Sequence, residues 1–369
     1  MTTHRDLVVP AVLSEGEIIA PGEETPLPAE LVATAKAFQT MARAASTRRA
    51  YHRAWMDFED WCRQHGRQSL PASPATVAAW LAWKARHAMP DAEPGTVPAR
   101  GSLDKALAAI TAVHRAAKVP FDRKDPLIAE TWRGVARAVA RKRPVRKAEP
   151  LLRDRLLCMI GSLRTTVNAE ARDAALLALG WGGALRRSEL IGLDWQQLGG
   201  GTGYVSLTPD GVKITLVVSK TSQDAAVEVV IPRADMKAAH AALAAWATCA
   251  NLQPGTPVFV GVTKNGKIRS ERLTDQSVNL IIKSRVRSFA RRDGETREAA
   301  FELAAVFSGH SLRRGYGTTA GEHGVYPHRI QNHMRHKDFG TTSGYIQAGE
   351  AWSKSGLQGI FADDEKGAA

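Results

Sequence analysis

Along the first third of the chain, apolar positions recur every three or four residues, the repeat of a helix with one buried face. Tyr51, Trp55, Phe58 and Cys62 form such a stripe, with Ser46 upstream as the candidate N-cap. Ser73-Pro74 reads as a cap followed by proline at the first helical position, opening a run with Val77, Trp80, Leu81 and Lys84. Ser102 heads Leu103, Leu107, Ile110 and His114, and Asp125-Pro126 heads Leu127, Trp132, Val135 and Val139. Four or five helices between Pro28 and about Arg143 predict a compact bundle.

From Leu151 the pattern changes. Helical repeats cover about Leu151–Leu163 and Asn168–Leu185. After Gly199-Gly200-Gly201 the segments Tyr204–Leu207, Val212–Val218 and Val227–Ile231 read as strands, with Pro209-Asp210-Gly211 as a turn. Helices follow at Asp235–Cys249, Thr274–Ala290, His310–His323, Pro327–Arg335 and around Thr341–Ile346. The fold class expected is mostly α with a small antiparallel sheet: a helical bundle, then an α+β domain. Residues 1–27 read as a disordered acidic tail, 28–143 as the bundle, 144–150 as a basic linker and 151–350 as the second domain. Residues 351–369 read as a terminal helix and tail, with Trp352, Leu357, Ile360 and Phe361 on one apolar face.

Charge adds a partner to this outline. The chain of 369 residues carries a net charge of +13, which favours a polyanion. The first 27 residues hold one Arg against five Asp or Glu, so the remainder is more basic still. Arg133, Arg137 and Arg141 share one helical face, and Lys142, Arg143, Arg146 and Lys147 continue it without an intervening acid. Like charge gathered this way predicts contact with DNA phosphates rather than a plain solvated face. The three cysteines, Cys62, Cys158 and Cys249, lie far apart and read as small buried hydrophobes in a reducing compartment. Neither a secretory signal nor a membrane-spanning run is evident, so a cytoplasmic protein with no membrane partner is expected.

Candidate chemistry lies in the second domain. Cutting a phosphodiester requires neutralised non-bridging oxygens, a nucleophile and a proton for the leaving oxygen. No carboxylate cluster or Cys/His pattern suggests a metal for the first task, and arginine is the organic substitute. Arg186 has Glu189 one helical turn on, able to hold its guanidinium. His310 and Arg313 are likewise one turn apart; Lys220 sits where a hairpin would turn; His336 and Tyr345 follow. Each has an ordinary structural reading when taken alone. Arg187 rivals Arg186, Tyr316 rivals Tyr345, and His328, His333 and His336 form a weaker candidate metal set.

Taken in order, these residues resemble the tyrosine recombinase (integrase) family. Arg186 to Glu189 matches its Arg-x-x-Glu motif, Lys220 its hairpin lysine, and His310 to Arg313 its His-x-x-Arg box. His336 matches the second His-or-Trp, nine residues before the tyrosine at Tyr345. Where the family commonly has Leu-Gly before that histidine, this chain has Met334-Arg335. The resemblance spans Leu151 to about Phe361, and the bundle before it resembles the family's SAM-like core-binding domain.

The resemblance implies a site-specific recombinase acting on double-stranded DNA as a homo-tetramer, through a 3′-phosphotyrosine and without metal, ATP or other cofactor. Tyr345 would be the nucleophile, Arg186 and Arg313 the phosphate clamp and Lys220 the acid; His310 would accept the tyrosine proton or hydrogen-bond the phosphate, and His336 would donate a further hydrogen bond. Glu189 would orient Arg186. The terminal helix would dock on a neighbouring subunit, and the protein would associate with the nucleoid. The segment before the bundle is too short and acidic for an extra DNA-binding domain, so two domains acting at short inverted-repeat sites are expected. Relaxation of supercoils by a type IB topoisomerase, or sequence-specific DNA binding without catalysis, are the alternatives.

Overall fold

The computed structural model describes residues 45–93, 95–144, 147–217 and 226–350, with residues 30, 33 and 34 besides. The expected acidic tail at 1–27 and terminal helix at 351–369 lie outside the described residues. The chain divides into two compact units, Met1–Arg146 and Lys147–Ala369.

The first unit contains α1 (Ala45–Gln64), α2 (Pro74–Ala85), α3 (Arg100–Ala116) and α4 (Pro126–Lys142). Proline and cap fix two of these starts. Ser73 Oγ accepts from the Thr76 N–H at 3.2 Å, and Asp125 Oδ1 accepts from the Leu127 N–H at 2.9 Å. The other two expected caps are corrected: α1 already includes Ala45, placing Ser46 inside it, and α3 starts behind Ala99, leaving Ser102 in its first turn. The Ser102 N–H donates to the Ala99 carbonyl at 2.9 Å, so the backbone there is already coiled. Trp55, Phe58, Trp80, Leu107 and Ile110 fill the core, and Phe58 meets Trp80 edge-on at 5.4 Å between centroids. His114 is buried among them. Its Nε2 accepts from the Ala72 N–H at 2.8 Å while Nδ1 lies 2.9 Å from the Ile110 carbonyl. A neutral imidazole satisfies both, and burial lowers its pKa.

In the second unit, α5 (Arg153–Gly161), α6 (Asn168–Gly182) and α7 (Arg187–Ile191) precede a sheet of β1 (Leu193–Trp195), β2 (Gly203–Thr208), β3 (Gly211–Leu216) and β4 (Val227–Pro232). Strand order follows chain order. The hairpins β2–β3 and β3–β4 are antiparallel, with Val205 opposite Ile214 and Ile214 opposite Val229. The three strands read from the sequence are thus antiparallel as expected, and a further short strand, β1, joins β2 in parallel at the edge. Next come α8 (Lys237–Ala250), the hairpin β5 (Val260–Val262) and β6 (Ile268–Arg272), and then α9 (Asp275–Arg292) and α10 (Arg297–Ala305). The unit ends with α11 (Gly309–Glu322), α12 (Pro327–Met334) and α13 (Phe339–Glu350).

Helix α6 is buried on nearly every face and packs on α8 and α11. Cys62 is buried and Cys249 half-buried, but Cys158 is exposed on α5, against the expectation for all three. Among the described residues no helix is long and apolar enough to cross a membrane.

Helix α11 carries two of the candidate residues, and its depth is set at Gly315. A Cβ there would collide with the Leu151 carbonyl, which already accepts from Trp181 Nε1 at 2.9 Å. Gly315→Ala should therefore destabilise the protein by about 1–3 kcal/mol, the usual range for overpacking. A lower urea midpoint at unchanged m-value checks this; an unchanged midpoint would mean that the strand of backbone at Leu151 yields freely.

Candidate active site

A cleft of about 770 Å³ opens in the second unit, and Arg186, His310, Arg313, His336 and Tyr345 all line it. Glu189 lies behind, 3% exposed at its side chain. After α6 the chain turns through Ala184, in a left-handed conformation (φ 44°), and reaches Arg186 at the N-terminus of α7. Glu189 sits one turn on. Its Oε2 accepts from the Arg186 N–H at 2.9 Å and its Oε1 from Arg186 Nη1 at 2.6 Å. The i, i+3 spacing thus caps the helix and holds the guanidinium with one carboxylate.

Helix α11 starts at a second capped corner. Ser308 Oγ accepts from the His310 N–H, and Asn279 Oδ1 on α9 accepts from the Gly309 N–H at 2.7 Å. His310 and Arg313 then share a face. Arg313 is 2% exposed, and its Nη1 donates to the Ala184 carbonyl at 2.6 Å while Nη2 donates to that of Met334. At the end of α12, Arg335 is left-handed (φ 56°), turning the chain so that His336 enters the cleft. His336 Nδ1 lies 2.9 Å from Thr342 Oγ1, which fixes its ring, and that ring stacks on Tyr345 at 5.6 Å. The Tyr345 hydroxyl lies 3.2 Å from His310 Nε2, and Arg314 lies over the tyrosine ring at 5.5 Å.

Positive charge dominates this cleft. Burial, followed by the neighbouring Arg186 and Arg335, pushes the Arg313 guanidinium down to about 9. Burial and then Arg313 and Arg186 push His336 down to about 4. His310 is lowered too, by burial first and then by Arg313, Arg314, Arg187 and Arg186. Both imidazoles are therefore neutral at pH 7. Burial alone would raise the Glu189 carboxyl, but the charges of Arg335 and Arg186 and the hydrogen bonds from Arg186 hold it below the ordinary value. It stays ionised.

The remaining expectations fall as follows. Lys220 lies outside the described residues. Arg133, Arg137, Arg141, Lys142 and Arg143 are all exposed on or just after α4; Arg146 lies outside the described residues, and Lys147 is exposed at the start of the second unit. Arg133 has a distant acid, Glu130, at 3.8 Å. Arg187 is exposed on the cleft rim. Tyr316 is not in the cleft: it stacks on His333 at 4.5 Å, and burial pushes its hydroxyl up to about 12. The three histidines are separately engaged, His328 stacking on Tyr326, His333 bonded to the Gly182 carbonyl and His336 to Thr342. The sequence reading missed Asn279, Thr342 and the side chain of Arg335. Only Arg335 left a signal, as a side chain where glycine is usual.

The model of the phage integrase family matches residues 154–351. A curated relative, the integrase/recombinase xerD homolog of Selenomonas ruminantium, is 31% identical over 326 residues, covering 87% of this chain and 86% of its own length. Among solved structures, the XerH site-specific recombinase in a post-cleavage complex with its difH substrate is similar at a TM-score of 0.54 and 12% identity, over 91% of this chain and 85% of that one. The Tn1549 transposon integrase, in complex with transposon right-end DNA, gives 0.51 and 14% over 90% and 98%. These two likenesses concern the fold. With the family match extending over half the chain and a relative of like length, the protein belongs to the phage integrase family of tyrosine site-specific recombinases.

Proposed function

We propose that this recombinase cuts and rejoins double-stranded DNA through a 3′-phosphotyrosyl link to Tyr345, acting as a homo-tetramer on two short core sites. The observation that carries the reading is the hydrogen bond between the Tyr345 hydroxyl and His310 Nε2, facing a cleft lined by Arg186, Arg313 and, at its rim, Arg187. Arg186 and Arg313 hold the non-bridging oxygens of the scissile phosphate. Tyr345 attacks phosphorus in line, its proton passing to the neutral His310. The bond to the 5′-oxygen breaks and Lys220 protonates that oxygen. His336 adds a hydrogen bond to the phosphate. A 5′-hydroxyl from the partner duplex then attacks the phosphotyrosine and releases Tyr345, so the phosphoester bond is conserved without ATP. No step requires a metal.

The first unit is read as the core-binding domain. Arg133, Arg137, Arg141, Lys142, Arg143, Arg146 and Lys147 contact the DNA backbone, setting affinity rather than sequence.

Three outcomes follow. In EDTA, a library of nicked duplexes with randomised cores should yield an SDS-resistant protein–DNA adduct, lost in Tyr345→Phe; an adduct surviving that change sinks the nucleophile assignment, and sequencing the trapped DNA gives the site. The lowered His310 pKa puts its proton-accepting form in place throughout the neutral range. Cleavage at subsaturating DNA, which reports the free enzyme, should stay level as pH falls from about 8 towards 6.5 and decline only below. An acid limb centred above 7 would remove His310 as base. Finally, Lys220→Ala should cleave poorly at a normal phosphate yet regain cleavage at a 5′-bridging sulfur, which leaves without protonation. Continued failure there would mean that lysine has another role.

A further inference from the structure

Arg335 occupies a corner where two features disfavour it. Its backbone is left-handed, a conformation that glycine adopts freely and a side chain resists. Its guanidinium is nearly buried, and burial lowers its pKa against the opposing pull of Glu189. Glycine would relieve both at once. The side chain instead folds back beneath the cleft, which it does not line. Nη1 donates to the carbonyls of Gly183 at 3.1 Å and His333 at 2.6 Å; Nη2 donates to the Ala184 carbonyl and to Glu189 Oε2, each at 3.0 Å.

We propose that Arg335 is a positioning residue for strand cleavage, its guanidinium gripping Glu189 Oε2 so that Oε1 is aimed at Arg186. The Arg335 carbonyl meanwhile accepts from Arg186 Nη2 at 3.2 Å. One residue thus fixes the Arg186 fork from two directions, through its side chain by way of Glu189 and through its backbone directly. Glycine at 335 would keep the corner and the carbonyl but leave Oε2 of a buried carboxylate with the Arg186 N–H alone and without its cation. Glu189 could then rotate, and the Arg186 guanidinium with it. Ala184 is braced by the same side chain, and its carbonyl also receives Arg313 at 2.6 Å. Arg186 and Arg313 therefore both rest on groups that Arg335 holds.

The inference rests on the reading of Arg186 as a phosphate clamp. Arg335→Gly isolates the side chain. The probe is a nicked duplex carrying the site recovered from trapped wild-type adducts. The variant should bind it within about threefold of wild type, while single-turnover cleavage at saturating DNA falls about 10–100-fold, the usual effect of losing a group that orients a reacting one. Methylguanidinium should restore part of that rate where methylammonium at equal ionic strength does not. In a Glu189→Gln background the further loss should shrink to under about threefold, because the two residues act as a unit. Wild-type cleavage by Arg335→Gly, or an equal loss in the Glu189→Gln background, overturns the proposal. If Arg335→Gly does not fold, Arg335→Lys takes its place: it keeps the cation but not the fork, and cleavage at the wild-type rate would be equally fatal. Arg186→Lys reports on the underlying reading alone, since its cleaving normally would remove the clamp whatever Arg335 does.

Discussion

Three guanidinium groups, those of Arg186, Arg313 and Arg335, gather around the single carboxylate of Glu189, which bonds two of them, and this surplus of positive charge constrains everything built around it. Arg186 and Arg335 both bond to Glu189, while Arg313 has only carbonyls for partners. The consequence is visible in the titrating groups. Arg313 is pushed down to about 9 and His336 to about 4 by burial and by their cationic neighbours. Groups displaced in this common direction mark a buried, positively charged site, one suited to an anion. In the proposed mechanism the scissile phosphate supplies it. The field that lowers these groups is then the field that stabilises charge on the phosphorus oxygens.

Carbonyl groups make that arrangement tolerable. Ala184, Met334 and Arg335 turn theirs towards the guanidinium groups, and all three belong to the two corners that precede Arg186 and His336. Both corners hold a left-handed residue with a side chain, Ala184 and Arg335. Such a conformation costs about 1–2 kcal/mol and persists only where its surroundings impose it. Here the surroundings are the arginines themselves. The corners place the side chains of the cleft, and hydrogen bonds from Arg186, Arg313 and Arg335 hold the corners in shape.

Legibility in the sequence followed the range of the interactions. The caps at Ser73 and Asp125 act within three residues, and the Arg186–Glu189 pair spans the same distance, so each could be read from spacing. Strands β2 to β4 alternate enough to be seen. Strand β1 does not: Leu193, Asp194 and Trp195 are all buried, and three residues show no period. Asp194 is buried because it accepts from the N–H groups of Gly199, Gly200 and Gly201 and from Arg272, a partner 78 residues on. Arg335 is the same case within the site. Its substitution for glycine was plain, but its partners Glu189 and Ala184 lie 146 and 151 residues away. Only the folded chain gives it a task.

The position of Tyr345, the proposed nucleophile, depends on yet another close approach. Tyr345 shares a small apolar cluster with Ala184, Ala320, Ile330 and Met334, apart from the main core of the unit. Helix α13, which carries it, lies against α11 over two glycines. A Cβ on Gly317 would come within 3.2 Å of Tyr345 Cβ, and one on Gly321 within 3.0 Å of the Ile346 Cα. His310 stands on the same α11, so the separation of these two helices sets the 3.2 Å between imidazole and hydroxyl. Moving α13 outward by about 1 Å would take that pair beyond hydrogen-bonding range. His310 and Tyr345, 35 residues apart in the chain, are thus kept in register by the absence of two side chains. The small residues of α11 belong to the site as much as the charged ones do.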